Sequence, residues 1–182
     1  MATIDPRSIA GTEQCFIRSA TPGDASDMLR LRHRLSNETE FMSREPREIT
    51  VTSDSQREHI LGRTAAERDL LLVAVVAGQL VGILGFNSRP LVRLRHQGEF
   101  GIGVLQDFWG RGIGGALLSS LCDWADSVGI VRISLIVAAD NVRAIKLYEH
   151  FGFVTEGRLR KDVKLSDGFH DSLLMARVTE VR

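Results

Sequence analysis

The glycines of Gly110-Arg111-Gly112-Ile113-Gly114-Gly115 are spaced to hold an anion. They follow a stretch of small and apolar residues, 100–105, that reads as a strand, and a polar turn at Gln106 and Asp107. A helix then carries Ile113, Leu117, Leu121 and Cys122 on one face. Glycine lets the backbone close on a phosphate, and the first turn of a helix offers unpaired N–H groups at the positive end of its dipole. Strand, loop and helix in this order predict a cradle for the diphosphate of a nucleotide-like cofactor.

Asn141, Ile145 and Tyr148 share one face of a short helix, predicted to be capped by Asp140 or Asn141 and to end near His150. That face presents an amide and a phenol to the same ligand, and Tyr148 is the one tyrosine of the chain. On the strand before the loop, alternation puts Glu99, Gly101, Gly103 and Leu105 on one face and Phe100, Ile102 and Val104 on the other. Glu99 thus stands beside two residues without side chains, a trough for a ligand lying against the backbone, and is the candidate general base. His96 has the more suitable intrinsic pKa, but three positions away it falls on the opposite face.

The elements that must position these groups follow from the rest of the chain. Residues 1–12 carry no pattern and read as a loose extension, with a single domain over 13–182. A strand at 15–20 leads through Thr21-Pro22-Gly23-Asp24 into a helix striped by Ala25, Met28, Leu31 and Leu35. The polar stretch 37–51 reads as a binding loop, and Glu38, Glu45 and Glu48 in it could attract a cationic amine. Ser53 with Gln56 suggests a capping box for a helix to about Arg68, with Ile60 and Leu61 inward. Strands are expected at 70–76, 80–87 and 93–104 before the loop, then at 131–137 and in a last hairpin turning at Asp167-Gly168. The predicted fold class is α/β, a mixed, mostly antiparallel sheet flanked by helices.

Composition narrows the function. Lys+Arg and Asp+Glu balance at 23 each, which argues against a nucleic-acid binder acting through bulk charge. Basic clusters at Arg30, Arg32, His33 and Arg34, at Arg89, Arg93, Arg95 and His96, and at Arg158, Arg160, Lys161 and Lys164 read as solvated faces, the alternative being that one of them meets a phosphate. Cys15 and Cys122 fit neither a disulfide framework nor a ligand pattern, so no metal site is expected. Without a secretory signal or an apolar run long enough to span a bilayer, the chain reads as cytoplasmic and free of membrane.

Gly110, Gly112 and Gly115 also satisfy the dinucleotide fingerprint, but three antiparallel strands precede this loop where a dinucleotide fold needs parallel βαβ units. No Lys-Ser/Thr pair follows the glycines, so a P-loop fails. The segment instead resembles motif A of the Gcn5-related N-acetyltransferases (GNAT), with Trp109 at the place usually held by Gln or Arg. The stretch from Asn141 through Ala144, Tyr148, Gly152 and Phe153 resembles the family's motif B.

The resemblance implies acetyl-coenzyme A as cosubstrate, bound by Val104, Leu105, Gly110, Arg111, Gly112, Ile113, Gly114, Gly115, Ala116, Asn141 and Tyr148. It implies Tyr148 as the acid facing the thioester sulfur, Asn141 on the pantetheine arm, and a strand N–H near Val104 or Leu105 holding the oxyanion. The function it implies is acetyl transfer to a primary amine of a small molecule or protein N-terminus by direct attack, with a homodimer possible. The alternative is a module that senses acetyl-coenzyme A without turnover. Specificity is expected in 37–51, the helix after it, and the hairpin 156–171, with Asp167 and Asp171.

Overall fold

The computed structural model describes residues 3–9 and 15–180. In chain order the elements are β1 (Arg7–Ser8), β2 (Cys15–Ser19), α1 (Ala25–Glu38), α2 (Ser53–Ala65), β3 (Leu70–Val76), β4 (Gln79–Ser88) and β5 (Gln97–Val104). There follow α3 (Ile113–Ser127), β6 (Arg132–Ala138), α4 (Val142–His150), β7 (Val154–Leu165) and β8 (Gly168–Val178). Hydrogen-bonded neighbours run β1-β2-β3-β4-β5-β6-β8-β7, one sheet of eight strands. β5 pairs with β6 in parallel, whereas β1–β2, β2–β3, β3–β4, β6–β8 and β7–β8 are antiparallel. The mixed, mostly antiparallel α/β architecture expected from the sequence is the one observed. The chain divides into two compact units, 1–87 with 101–124 and 88–100 with 125–182, and β5 and α3 each pass from one to the other.

In the first unit β3 is apolar along its length and its first six residues are buried, as a strand covered on both faces must be. It turns into β4 through Ala77 and Gly78 at φ 47° and 81°, two positive values that suit a tight hairpin twist. α1 begins where Arg18 donates two hydrogen bonds of 2.7 Å to Asp24, whose carboxylate also accepts from the Thr21 amide. Met28, Leu31 and Leu35 form its buried stripe. The Arg63 guanidinium near the end of α2 donates to the carbonyls of Leu70 and Phe86 and to Asn87, tying α2 to the start of β3 and the end of β4.

In the second unit β6 pairs with β8 over seven residues from Arg132–Val178 to Ala138–Ser172. Arg132 pairs with Glu156, and Arg177 holds Asp126 at 3.0 Å. β7 is the outermost strand, and its ladder with β8 is broken by irregularities between Thr155 and Gly157 and between Leu159 and Val163. Lys161 takes φ 54° within the second.

Several expected boundaries move. α2 is capped by Thr52, whose hydroxyl accepts from the Ser55 amide at 3.2 Å. Gln56 is 2% exposed and sits in the interior, where it cannot close a capping box at the surface. The helix ends at Ala65 rather than near Arg68, and Leu61 points to solvent while Ile60 is buried. β5 starts at Gln97, not 93, because the chain before it turns through hydrogen bonds from Leu94 to Leu91 and from Gln97 to Leu94. α1 takes Asn37 and Glu38 from the expected loop, which also contains a 3-10 turn, Pro46–Glu48. Arg7 and Ser8, in the expected loose extension, pair with β2, and Arg7 reaches Asp123 at 2.5 Å. The expected boundary between residues 12 and 13 lies outside the described residues.

Candidate active site

In the first unit, β5 ends at Val104 and the chain takes a 3-10 turn, Gln106–Phe108, before the glycines. Gly110 and Gly112 have φ 76° and 78°, the left-handed region where a side chain would strain the backbone. A Cβ at either would meet nothing within 4 Å, so the loop presents bare backbone to open space. The Ala116 amide bonds the Gly112 carbonyl at 2.9 Å and closes the first turn of α3. The amides of Ile113, Gly114 and Gly115 are therefore left without intrahelical acceptors, facing an approaching anion. Ile113 contributes only that amide, because its side chain is buried.

Side chains brace this cradle. The Trp109 indole N–H donates to the Val104 carbonyl at 2.6 Å, so Trp109 clamps the turn to the end of β5. Arg111 donates to the Asp107 carbonyl at 2.9 Å and lies 5.0 Å over the Phe108 ring. Glu38, on the last turn of α1, accepts from the Gln106 amide at 2.8 Å, and its carbonyl accepts from the Gln106 side chain. The Leu105 amide already donates to the Val81 carbonyl at 3.0 Å. That corrects the expectation for Leu105 as an oxyanion donor and leaves Val104 as the candidate.

In the second unit, the Asn141 side-chain oxygen caps α4 by accepting from Ala144 at 3.1 Å, which leaves its amide NH2 as the group able to face a ligand. Tyr148, two turns further on, is 7% exposed. Its ring packs edge-on against Phe100 at 5.7 Å and tilts against Phe153 at 6.1 Å. Among the described residues its hydroxyl makes no hydrogen bond. Burial pushes its pKa up to about 12, so the phenol keeps its proton at physiological pH. The β5–β6 ladder joins Gln97, Gly98 and Glu99 to Arg132, Ile133 and Ser134, and β5 then continues through Phe100 into the first unit.

The model of the acetyltransferase (GNAT) family matches residues 32–153 of this chain, through both the glycine loop and α4. The chain belongs to that family. It is 35% identical to an L-amino acid N-acetyltransferase of Escherichia coli over 59% of its own length and 67% of that enzyme's. A ribosomal protein bS18-alanine N-acetyltransferase of Salmonella typhimurium is 40% identical over 42% of this chain, a stretch that spans only 52% of that relative. Among solved structures, a GNAT acetyltransferase from Streptococcus pneumoniae superposes with a TM-score of 0.87 at 30% identity, covering 91% of this chain and 99% of that one. An acetyltransferase from Salmonella typhimurium solved with its cofactor acetyl-CoA shares the fold, with a TM-score of 0.80 at 21% identity, covering 91% and 94%. As a GNAT acetyltransferase the chain uses acetyl-CoA as cosubstrate, and the open backbone at Gly110 and Gly112 fits a diphosphate.

Other expected site residues of this GNAT chain stand as follows. Glu99 points outward from β5 beside Gly101, where a Cβ would meet nothing within 4 Å, as alternation required. One of its oxygens pairs with Arg89, and both side chains are about half exposed. His96 lies outside β5 in the preceding turn. The acidic loop residues are engaged: Glu38 on Gln106, Glu48 on the Glu45 amide, and Glu45 on Arg47.

In the hairpin, Asp171 accepts from Arg158 at 2.7 Å and from the Lys161 amide at 2.8 Å. His170 bridges Asp140 at 3.1 Å and Asp167 at 2.6 Å, and the hydrogen bond to Asp167, then Asp140, raises its pKa. Asp140, Arg158, His170 and Asp171, with Ala139 and Phe169, line an open cleft of about 370 Å³. The sequence reading missed the His170 bridge, since nothing local signals that Asp140 returns beside the last hairpin.

Proposed function

We propose that this acetyltransferase moves the acetyl group of acetyl-CoA to a primary amine by direct attack, the acceptor being an amino acid or a protein N-terminus. Both acceptor types appear among its relatives' names, L-amino acid N-acetyltransferase and ribosomal protein bS18-alanine N-acetyltransferase. The observation that carries the reading is the pair of left-handed glycines, Gly110 and Gly112, opening α3 with unpartnered amides.

In the reaction, the amine nitrogen bonds the thioester carbonyl carbon, the carbon–sulfur bond breaks, the nitrogen sheds a proton, and the thiolate gains one. The α-amino group of a peptide N-terminus has a pKa of about 8 and that of a free amino acid is higher. Most of the acceptor is therefore protonated at neutral pH, and a base must take its proton. We assign that to Glu99, whose second carboxylate oxygen makes no hydrogen bond among the described residues. The Val104 amide is assigned to the oxyanion, the Asn141 amide group to the pantetheine arm, and the diphosphate to the backbone from Arg111 to Ala116. Tyr148 is assigned to the sulfur. A phenol at about 12 is a weaker acid than a thiol at about 8.5, so it serves first by hydrogen-bonding the developing thiolate.

Coenzyme A release from acetyl-CoA over a panel of amino acids, polyamines and N-terminal peptides tests this reading. Turnover on one class, depressed in Tyr148→Phe with acetyl-CoA affinity kept, supports it. Tight binding of acetyl-CoA with no turnover on any amine leaves the sensor reading instead.

A further inference from the structure

Between α1 and α2 of the first unit, buried nitrogen donors stand without acceptors. Ser26 and Ser53, near the starts of the two helices, lie with their hydroxyls 3.1 Å apart. Six residues further on in each helix come Arg32 and His59, and one turn beyond His59 comes Arg63. The Nε of Arg32, the Nε of Arg63 and the side-chain amide nitrogen of Gln56 are all buried with no hydrogen-bond partner. Arg63 is anchored through its terminal nitrogens by the carbonyls of Leu70 and Phe86, and its Nε faces the Asp69 carboxylate at 3.7 Å. Arg32 has no such anchor: it makes no hydrogen bond or ion pair among the described residues. The charges it feels are those of Arg44 and Arg63, both positive, and burial and those neighbours lower its pKa. His59 is lowered too, by burial and then by Arg63 and Arg32, against a smaller opposing effect of Asp69.

A desolvated guanidinium facing only cations is unfavourable unless an anion completes it. Its neighbours in sequence are spent differently, Arg30 on Asp27 and Arg34 on Glu38. One turn along α1 from Arg32, Leu35 lies on Gly103 of β5, and Glu38 then holds the start of the glycine loop at Gln106. An anion seated on Arg32 is therefore beside the strand and loop assigned to acetyl-CoA.

We propose that Arg32, with the neighbouring His59, seats the carboxylate of the amine acceptor, so that the substrate is a free amino acid rather than a peptide N-terminus. The proposal rests on the acetyltransferase reading for its reaction and on the α1–α2 donors for its site. A peptide N-terminus carries an amide where the free amino acid carries its carboxylate, and an amide offers these donors one oxygen and no charge.

The test uses the full chain and its Arg32→Gln and Arg32→Lys forms, with the common L-amino acids, their amides and inorganic phosphate. Two readouts run side by side: coenzyme A release and the melting temperature with and without each compound. The expected result is kcat/KM higher by about tenfold or more for one free acid than for its amide, with that ratio falling toward one in Arg32→Gln through KM. Arg32→Lys recovers part of the ratio, because charge is kept and the fork lost. Amides serving as well as acids, or an acid-to-amide ratio unmoved by Arg32→Gln, overturns the proposal while acetyl transfer stands. Should no amine turn over, the reaction reading fails separately and melting decides the site. Protection by a free acid that its amide lacks, and that disappears in Arg32→Gln, still supports the seat. Protection by phosphate alone, or none at all, overturns it.

Discussion

Leu35 occupies the space that a side chain at residue 103 would need. A Cβ built on Gly103 comes within 2.9 Å of the Leu35 Cδ1 and 3.5 Å of the Met42 sulfur. Leu35 is itself 1% exposed and cannot swing away freely. The absence of a side chain at 103 is thus what lets α1 close on β5, and what makes that face of the strand a helix contact beside the open face at Gly101.

Gly103→Ala is therefore expected to destabilise the chain by about 1–3 kcal/mol, the usual cost of overpacking, less the strand preference of alanine over glycine. Urea unfolding measures it, and Leu35→Ala supplies the second arm of a double-mutant cycle. In the Leu35→Ala background the added methyl has room, so the coupling energy is expected to be favourable and of the same order. Additive losses would mean that the two side chains do not compete.

Much of this arrangement was legible beforehand. The alternation of 99–105 put Glu99 and Gly101 on the face opposite Phe100, and the glycine spacing placed a helix carrying Ile113, Leu117 and Leu121 at the end of the loop. What could not be read was which partner each polar group would find. Glu38 looked like part of an acidic loop, but it faces Gln106, 68 residues away in sequence. Leu105 looked available as an N–H donor, but Val81 claims it. Arg32 sits among basic residues that read as a solvated face, and only its place four residues after Met28, at the border of the apolar stripe, hinted at burial. Such pairings are set by tertiary packing between distant segments, and local pattern carries little of them.

The second prediction concerns the cradle. Alanine at Gly112 must hold φ near 78° with a Cβ, at a cost of roughly 1–2 kcal/mol. Because space around that Cβ is open, the cost comes from the backbone, and the loop can escape it by relaxing out of shape. Gly112→Ala should therefore weaken coenzyme A binding in calorimetry by about tenfold while moving the melting temperature little. Unchanged affinity would take the loop out of the cofactor site.

Tyr148 gives the third, made simple by its being the one tyrosine of the sequence. Absorbance of the phenolate near 295 nm should show no ionisation at the ordinary pKa of about 10 and a midpoint near 12, or at alkaline unfolding if that comes first. The sign for stability follows. The folded pKa lies above the unfolded one, so the contribution is intact below about pH 10 and is lost as pH rises toward 12. Tyr148→Phe should remove that part of the alkaline loss. A midpoint at the ordinary value would show the ring to be solvated and the aromatic packing with Phe100 wrong.

Asp24 carries the opposite sign. Burial alone would raise its pKa, but the hydrogen bonds from Arg18 and from the Thr21 amide and hydroxyl outweigh burial and hold it below the usual carboxylate value. Its stabilising contribution is thus present above pH about 3.9, the unfolded value, and fades as pH falls through the lower folded pKa. Asp24→Asn should lower stability at neutral pH by about 1–3 kcal/mol, through the charge-assisted bonds to Arg18. The gap from the parent chain should narrow on acidification below pH about 3.9. A gap constant from neutral pH down to full acid unfolding would point to lost packing instead of lost charge.

Arg32 separates stability from binding. In the free chain its guanidinium is desolvated beside Arg44 and Arg63, with an Nε that bonds to nothing. Replacing it with methionine keeps much of the apolar stem and removes both the buried charge and the orphan donor. Arg32→Met is therefore expected to raise the melting temperature of the ligand-free chain by about 2–4 °C, the shift that ~1 kcal/mol gives in a protein of this size. Most substitutions at a half-buried position do the reverse, so a gain in stability has diagnostic value. It would mean that the arginine is kept at a cost to the fold, which a seat for an anion explains and a packing role does not. A drop of several degrees would show that Arg32 contributes to the α1–α2 interface through its stem, and that the positive charge there is borne without needing a ligand.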